Sequence, residues 1–423
     1  MKKAVIVGTG AGGATVAKEL QGKFDVTILE SGKPFHPFKF NLSFLEHLKK
    51  TGLFFNPLEI QLLFPFMKIR KTGDNTVLVN GIGTGGTTTL SAGNAIRADA
   101  EIKKLGINLD PEFEEIYGEI PITFKHRQLW RKTTSRIFDI CHEMELDPKP
   151  IPKFGDYSHC INCGQCVLGC THAVKWDSRK YLSEAVDRGA RLVTNCHVKS
   201  VRIKNGRAIG VLTHKNQFIP ADLVILSAGG LGTPVILENS GIECEKKLFV
   251  DHVLTVAAEW KNCLQNKELS MPFVVQRDHF ILSPYFEYLN FYFNKKWKYP
   301  AKDIFGIMIK LADECTGWIE KGRVYKTLTD TDKKRLNEGV VICTEIFARL
   351  GVKKKDIFFG NLTAGHPGGM LPLTAGEAET FHNERLPDGL YVADSTLFPQ
   401  SIGKPPILTI IAMAKRISKL CIG

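Results

Sequence analysis

The segment MKKAVIVGTGAGGATVAKELQGKFDVTILE, residues 1–30, carries the pattern that predicts the fold class. Four apolar residues predict a buried strand, Gly8, Gly10 and Gly13 follow in the G-x-G-x-x-G spacing, and helical sequence leads to a second strand that ends at Glu30. Gly8 allows a tight turn, Gly10 allows backbone to approach a pyrophosphate, and Gly13 allows close helix packing. The helix N-terminus offers amide donors and a positive dipole to phosphates. The pattern predicts a Rossmann-like α/β domain that binds a dinucleotide.

The acidic residue that ends the second strand narrows the choice of dinucleotide. Glu30 is placed to accept hydrogen bonds from a ribose diol, and a carboxylate there disfavours a 2′-phosphate, so FAD or NAD is expected rather than NADP. A second glycine-rich segment, residues 80–97, can bring amides and hydroxyls against a large polar cofactor. A dinucleotide fold that binds NAD does not usually need such a loop, so FAD is favoured. The candidate cofactor residues in this loop are Gly83, Gly85, Gly86, Thr87 and Thr88.

Length and composition set the class of protein. The chain has 423 residues, of which 43% are hydrophobic and 24% charged, and its net charge is +12. These values exclude disordered, collagen-like and small disulfide-rich chains and allow two to three domains. A basic surface can dock an acidic electron carrier or attract an anionic substrate, although a solvated lysine-rich face is the ordinary case. No run of basic residues with interleaved aromatic residues indicates a nucleic-acid partner.

The eleven cysteines are unevenly distributed. Cys160, Cys163, Cys166 and Cys170 form a C-x2-C-x2-C-x3-C motif, which is the spacing around ferredoxin-type [4Fe–4S] clusters. Structural zinc sites use two separated C-x-x-C pairs, so an iron–sulfur cluster is favoured, with zinc and reduced structural thiols as the alternatives. The fourth ligand is either Cys170 or a remote thiol, for which the candidates are Cys141 and Cys196.

The start of the chain does not predict a secretory signal. Its apolar run is four residues long and stops at Gly8, and no stretch reaches 18 apolar residues. Together with clustered, reduced thiols, this predicts a cytoplasmic protein. The basic, phenylalanine-rich stretch 35–71 could contact a membrane surface or a partner, but aromatic packing at a domain edge beside solvated lysines is the favoured interpretation.

Six short motifs occur in a set order along the chain: GTGAGG, GTGGTTT, VILSAGGLGTP, GHPGG, GLYVADSTLFP and PPILTIIAMAKRI. This order resembles that of the glucose-methanol-choline (GMC) oxidoreductases over roughly residues 1–97, 173–242 and 360–420. The ordered set is specific, although each motif alone is not. The resemblance implies FAD, a Rossmann-like FAD-binding domain, and an inserted α+β substrate domain built on an antiparallel sheet.

The resemblance also assigns cofactor contacts. In that family the first motif binds the ADP part of FAD, the second glycine loop lies against pyrophosphate and flavin, and the strand at 196–198 meets the adenine. The aspartate that matches Asp394 lies near the phosphates and the ribityl chain. The last helix points its N-terminus at the flavin, where the helix dipole stabilises negative charge on the reduced ring. Outside the second glycine loop, the implied cofactor residues are Gly8, Gly10, Ala11, Gly12, Gly13, Glu30, Val198, Ala228, Gly229, Asp394, Pro405 and Pro406.

Two residues are expected to take part in catalysis. His366 in AGHPGG matches the family's base, and an imidazole suits removal of a hydroxyl proton as hydride passes to flavin. The family's second pocket residue is His or Asn just before a proline, where this chain has Lys404. That lysine could stabilise an alkoxide, pair with an anionic substrate or point to solvent. A further departure is Ser91, which stands where the family usually has Asn.

The domain prediction places the FAD-binding domain at 1–242 with the cysteine loop at about 155–175, the substrate domain at 243–358, and the return to the FAD domain at 359–423. A turn at Asn205-Gly206 is expected to join two strands.

The predicted function is an FAD-dependent dehydrogenase. It would exchange hydride between a CH–OH donor and flavin and pass electrons through the [4Fe–4S] cluster to a quinone or a redox protein such as ferredoxin. One alternative is a reductase of a C=C or carbonyl group in an isoprenoid or lipid, which receives low-potential electrons through the cluster. The other is an electron-transfer subunit without its own substrate.

Overall fold

A computed structural model of the chain describes residues 1–38, 46, 47, 49, 59, 61, 62 and 64–423. The predicted membrane or partner contact at 35–71 therefore falls partly outside the described residues. No helix in the described ranges combines the length and the apolar character that a membrane crossing requires.

The described helices are, in chain order, α1 (Ala11–Glu19), α2 (Ala100–Lys103), α3 (Asp110–Glu119), α4 (Lys132–Glu143), α5 (Arg179–Asp187), α6 (Gly229–Asn239), α7 (Tyr288–Phe293), α8 (Asp330–Arg349) and α9 (Ile407–Ile422). The described strands are β1 (Lys3–Val7), β2 (Asp25–Leu29), β3 (Met67–Lys71), β4 (Val77–Gly81), β5 (Ile122–Thr123), β6 (Lys149–Pro150), β7 (Lys153–Phe154), β8 (Arg191–Val193), β9 (Val198–Lys204), β10 (Arg207–Thr213), β11 (Phe218–Pro220), β12 (Leu223–Leu226), β13 (His252–Glu259), β14 (Phe273–Gln276), β15 (Phe280–Pro284), β16 (Ile304–Leu311), β17 (Trp318–Glu320), β18 (Arg323–Tyr325), β19 (Ile357–Phe359), β20 (Thr363–Ala364) and β21 (Leu390–Val392).

The first sheet is the predicted Rossmann-like layer. Its five strands are all parallel and run in the order β21-β12-β1-β2-β8. Residues 4–7 of β1 are buried on both faces, as strands of a parallel sheet covered by helices are. Helix α1 starts directly after β1, and a Cβ added to Gly13 would lie 2.1 Å from the carbonyl oxygen of Gly8. Only glycine therefore allows this helix to begin so close to the strand, and the predicted fold class is confirmed.

The second sheet has nine strands, in the order β3-β4-β20-β13-β16-β15-β14-β6, with β19 paired to β13 beside that path. Its pairs are antiparallel except for β20 with β4, which are parallel. The long helix α8 packs on β16 and β13. Strands β3, β4, β6 and β20 come from outside residues 243–358, so this sheet draws on chain segments on both sides of the predicted insert.

Candidate functional site

One large cavity, of about 670 Å³, is lined by residues of both sheets. The parallel sheet contributes Gly8 and Gly10 at the end of β1, and the antiparallel sheet contributes Val253 of β13 and Lys310 of β16. The short turn of 3-10 helix at Gly86–Leu90 forms a further part of the wall. This volume is within the range of small-molecule and cofactor sites.

The two glycine turns meet at one end of the cavity. A Cβ on Gly86 would lie 3.1 Å from the Cα of Gly10, so the close approach of the turns depends on the missing side chain of Gly86. Gly10 is the N-cap of α1, and the first turn of that helix has neither an acidic residue nor a side-chain cap. Its backbone N–H groups are therefore available to a phosphate. This bare cradle fits the pyrophosphate of a dinucleotide such as FAD.

Glu30 lines the same end of the cavity, and its carboxylate is held by the turns. Oε2 accepts hydrogen bonds from the backbone N–H and hydroxyl of Thr9 (3.2 and 2.5 Å), and Oε1 accepts from the N–H of Gly32 (2.8 Å). The Thr9 hydroxyl in turn accepts from the N–H of Gly85 at 3.1 Å. Glu30 thus fixes the two glycine turns relative to each other, and its contact with a ribose stays a prediction.

Asp394 and the start of α9 also line the cavity. Asp394 accepts hydrogen bonds from the N–H of Gly229 (2.9 Å), the hydroxyl of Thr233 (2.5 Å) and the N–H of Thr396 (2.9 Å). Burial raises the pKa of Asp394, and these hydrogen bonds lower it. The effect of burial is the larger, so the pKa lies above its usual value. Helix α9 begins at Ile407, so its positive dipole end lies at the cavity.

The structure brings most of the predicted cofactor residues into this one cavity. Those that line it are Gly8, Gly10, Ala11, Gly12, Glu30, Gly86, Thr87, Thr88, Val198, Ala228, Gly229, Asp394, Pro405 and Pro406. The three that do not are Gly13, Gly83 and Gly85. Gly13 faces the backbone of Gly8, just after β1, whereas Gly83 (φ +119°) and Gly85 (φ +91°) take left-handed conformations inside the second turn. These three residues shape the loops without lining the cavity, and their contact with a cofactor stays a prediction.

His366 lies in the loop after β20 and lines the cavity. Its backbone N–H donates to the carbonyl of Val250 at 3.3 Å, and its ring Nδ1 lies 3.5 Å from a carboxylate oxygen of Asp251. Burial and the nearby charge of Lys310 lower the pKa of His366, and Asp251 opposes them. Burial and Lys310 thus favour the neutral imidazole, which is the state a proton acceptor needs.

Lys404 and Ser91 are the two positions at which the sequence departs from the family pattern. Lys404 is half-buried and does not line the cavity, whereas its neighbours Pro405 and Pro406 do. A catalytic role for Lys404 stays a prediction, and this placement does not favour it. Ser91 does line the cavity, and its hydroxyl donates to the carbonyl of Thr88 at 2.9 Å and accepts from the N–H of Gly93 at 3.2 Å. Ser91 thus stabilises its own turn.

Sequence reasoning missed several polar residues that line the cavity on the side of the antiparallel sheet. Lys310 is 2% exposed and forms an ion pair with the fully buried Asp251. Burial raises the pKa of Glu287 to about 7, against the hydroxyls of Thr255 and Thr363, which lower it. A lysine within the otherwise apolar strand IFGIMIKL is a signal that could have identified Lys310.

The four clustered cysteines line a second, small pocket with Tyr157 and Lys175. Val167 and Leu168, within the same cysteine loop, line the main cavity, so the two pockets are adjacent. In the described ranges, no three His, Cys, Asp or Glu side chains are placed to hold a metal ion. The structure therefore does not show the predicted metal site, although the four thiols share one pocket. Of the remote candidates, Cys141 lies on the buried face of α4 and Cys196 lines the main cavity.

Residues 3–256 match the family model described as GMC oxidoreductase. The chain is 32% identical over 419 residues to an uncharacterized protein of Methanocaldococcus jannaschii, with 97% of both chains covered. It is 24% identical over 279 residues to a long-chain-alcohol oxidase of Arabidopsis thaliana, which covers 57% of this chain and 34% of the oxidase.

Among solved structures, pyridoxine 4-oxidase from Mesorbium loti superimposes with a TM-score of 0.70 over 99% of both chains. The sequence identity is 14%, so this match shows a shared fold alone.

Proposed function

Because the chain belongs to the GMC oxidoreductase family, whose members are FAD-dependent oxidoreductases, we propose that it oxidises the CH–OH group of an alcohol. The observation that carries the proposal is that His366 lines the same cavity as the glycine turns of the dinucleotide motif. FAD supplies the hydride acceptor when it is bound. The chain's own residues hold the cofactor, exclude water and move the hydroxyl proton.

His366 is suited to take that proton. Its Nδ1 faces Asp251 at 3.5 Å, and a carboxylate at that nitrogen favours the tautomer with the proton on Nδ1. Nε2 then carries the lone pair, and it can accept the hydroxyl proton of an alcohol in the cavity. The lowered pKa of His366 keeps this lone pair free near neutral pH.

The substrate side of the cavity favours an apolar alcohol. Val253, Met271 and Met308 line it, and methionine side chains adapt to flexible apolar ligands. The Arabidopsis relative is named for long-chain alcohols, which is the same chemical class.

We further propose that the cysteine pocket binds a [4Fe–4S] cluster that carries electrons to a quinone or an acidic redox protein, so that the enzyme acts as a dehydrogenase. Two observations support the pocket as a ligand site. The hydroxyl of Tyr157 is buried there and has no hydrogen-bond partner in the described part of the chain. Lys175 is 4% exposed and places a buried cation beside the thiols, where an anionic cluster would balance its charge.

Lys175 also ties the cysteine turn to the second glycine turn. Its Nζ donates to the carbonyls of Thr88 (3.3 Å), Thr89 (2.8 Å) and Ser91 (2.8 Å) on one side and to that of Cys166 (3.0 Å) on the other. Lys175 therefore holds the thiol pocket next to the cofactor cavity, which supports electron transfer between the two sites.

A second candidate function is the reduction of a C=C or carbonyl group with electrons that enter through the cluster. Glu287 favours it, because a carboxyl with a pKa raised to about 7 is partly protonated at neutral pH and can protonate the reduced substrate. Tyr285 lines the same wall.

Anaerobic spectroscopy separates the two functions. The purified, FAD-loaded protein is mixed with primary alcohols of increasing chain length and with pyridoxine, and loss of the oxidised flavin absorbance is followed. Alcohol oxidation predicts bleaching by at least one alcohol. Reoxidation of the dithionite-reduced protein by unsaturated lipids or ketones, without bleaching by any alcohol, would reject it in favour of the reductase. Iron and acid-labile sulfide near zero in anaerobically prepared protein would reject the cluster.

A further inference from the structure

A buried ion pair lies behind the ring of His366. The side chain of Lys310 is 2% exposed, that of Asp251 is fully buried, and the two are in direct contact. Asp251 also accepts a hydrogen bond from the hydroxyl of Ser401 at 2.5 Å and lies 3.5 Å from Nδ1 of His366. One carboxylate thus contacts an ammonium, a hydroxyl and the candidate base.

The fold fixes both members of the pair. Asp251 immediately precedes β13 in a left-handed conformation (φ +54°), and its N–H donates to Asp313 at 2.7 Å. Lys310 stands on β16 opposite Val253 of β13, so strand register brings its side chain to Asp251. The remaining residues of β16 are apolar or glycine. Burying an ion pair in such a sheet is often no more stabilising than apolar packing, so stability alone is a weak reason for this pair.

Lys310 retains donors for a ligand. In the described part of the chain its Nζ donates to Asp251 alone, whereas an ammonium group has three N–H donors. The side chain lines the cavity together with His366. Two donors are therefore left for an oxygen atom of a bound molecule.

We propose that Lys310 is a second catalytic residue, which binds the oxygen of the alcohol and stabilises the negative charge that develops on it, and that Asp251 is a positioning residue for Lys310 and His366. This inference rests on the proposed alcohol oxidation. The O–H bond breaks, its proton goes to Nε2 of His366, and the electron pair stays on the oxygen beside the ammonium. As the C–H bond breaks with its electron pair passing to FAD as hydride, the oxygen pair forms the C=O bond.

Lys310, on the antiparallel sheet, would thus stabilise the alkoxide, which is one of the roles that the family resemblance implied for Lys404. Lys404 does not line the cavity, whereas Lys310 does. A fixed cation at the developing oxyanion needs no reorganisation during the reaction, and such preorganised groups contribute strongly to catalysis.

The test measures oxyanion binding without turnover. The FAD-loaded protein is titrated with 4-nitrophenol at a series of pH values, and the absorbance of the phenolate gives the pKa of the bound phenol. The wild type should lower that pKa below the value of the free phenol. Lys310→Met should raise the bound value again by about one unit or more, because an opposite charge within a few ångströms shifts a pKa by that much. Lys310→Arg should retain most of the effect.

Matched variants separate this role from a structural one. Lys326→Met also removes a buried lysine from an ion pair, with Asp313 at 2.9 Å, but Lys326 does not line the cavity. It should leave the pKa of the bound phenol at the wild-type value. Lys310→Met combined with Asp251→Asn leaves no unpaired buried charge and should fold with bound FAD while losing phenolate stabilisation.

The variants should also move the pKa of His366 in opposite directions, which NMR of the histidine ring can follow. Lys310→Met removes a charge that lowers this pKa and should raise it, whereas Asp251→Asn removes the opposing carboxylate and should lower it further. Other titratable groups near this set include Asp313, Lys326, His252, Cys315 and Glu287, which the Lys310 and Asp251 variants retain.

Two results would overturn the inference: no change in the pKa of the phenol on the wild type, or an equal change on the wild type and on Lys310→Met. If the phenolate is stabilised in a Lys310-dependent way but no alcohol bleaches the flavin, the oxyanion site stands and the alcohol oxidation falls.

Discussion

Among single residues, His366 is the one on which the proposed proton transfer depends. Replacing it with alanine removes the acceptor but leaves the glycine turns unchanged, so His366→Ala should retain FAD. It should slow bleaching by the alcohol by about 10²- to 10⁴-fold, which is the usual contribution of a general base. Anaerobic stopped-flow absorbance measures this rate. His142→Ala, an exposed histidine on α4, is the control, and an unchanged rate in His366→Ala would remove the histidine from the mechanism.

Glu287 predicts a dependence of stability on pH. Its folded-state pKa is raised to about 7, so between pH 4.5 and pH 7 the folded protein holds a proton that the unfolded chain has lost. This proton contributes at most about 3 kcal/mol to the free energy of unfolding. The contribution is fully present below the pKa of Glu287 in the unfolded chain and is lost as pH rises through its folded-state pKa. The melting temperature should fall between pH 5 and pH 8. Glu287→Gln should remove part of that fall, and the exposed Glu320→Gln should not. Equal pH slopes in wild type and Glu287→Gln would contradict the assignment.

Sequence identified His366 and missed Lys310 for a physical reason. His366 sits in a local motif, AGHPGG, whose order among other motifs is visible along the chain. Lys310 and Asp251 are 59 residues apart, and they meet only because β13 and β16 pair in one register. No local pattern encodes that register. Lys404 illustrates the opposite case, because its neighbours match the motif and line the cavity while Lys404 itself does not line it.

Among the structural elements, the two glycine turns that contain Gly10 and Gly86 form the proposed cofactor cradle. Gly86 has a φ of +51°, and its Cβ would lie 3.1 Å from the Cα of Gly10. Gly86→Ala should therefore separate the turns and lower the FAD content of the purified protein about tenfold or more, as measured by absorbance. Gly206→Ala is the matched control. Its φ is +73° and nothing lies within 4 Å of an added Cβ, so it should cost about 1–2 kcal/mol of stability without loss of FAD. Full FAD content in Gly86→Ala would contradict the cradle.

The cysteine turn gives a second prediction at this scale, which rests on the proposed cluster. The Tyr157 hydroxyl is buried without a partner beside the thiols, and a donor to a cluster sulfur stabilises the reduced, more negative state. Tyr157→Phe should therefore lower the midpoint potential of the cluster in a redox titration followed by EPR. In Tyr181→Phe, which loses a hydroxyl bound to Glu119 at 2.5 Å, the potential should stay unchanged. The assignment fails if both variants keep the wild-type potential.

Elements with a local signal were predicted well from the sequence. The β1-glycine-α1 unit and the turn at Asn205-Gly206, which joins β9 to β10, are where the sequence placed them. The composition of the antiparallel sheet was not predicted, because β6 and β20 are two residues long. A strand of two residues has no periodicity, and its place in a sheet follows from the strands beside it.

At the scale of the whole molecule, the cavity exists because two sheets meet there. Phe249 and Gly368 exchange backbone hydrogen bonds at 3.1 Å, which joins the start of β13 to the loop that carries His366. The parallel sheet brings the first glycine turn after β1. The nine-stranded sheet brings the second glycine turn after β4, together with Lys310, Met308 and Val253. The nine-stranded sheet thus contributes to both ends of the cavity, and the proposed base lies in the connection that leads from it back to the parallel sheet.

The net charge of +12 gives the last prediction, which concerns the electron acceptor. If electrons leave through the cysteine pocket to an acidic carrier, attraction between the two proteins should speed their encounter, and salt should screen it, since the Debye length falls from about 30 Å at 0.01 M to about 10 Å at 0.1 M. Transfer from the alcohol-reduced enzyme to ferredoxin should therefore slow as salt is added. The rates of electron transfer to an uncharged quinone and of bleaching by the alcohol should not change with salt, because the quinone and the alcohol carry no charge. Stopped-flow absorbance of each acceptor measures the rates, and a ferredoxin rate independent of salt would show that the basic surface is only a solvated face.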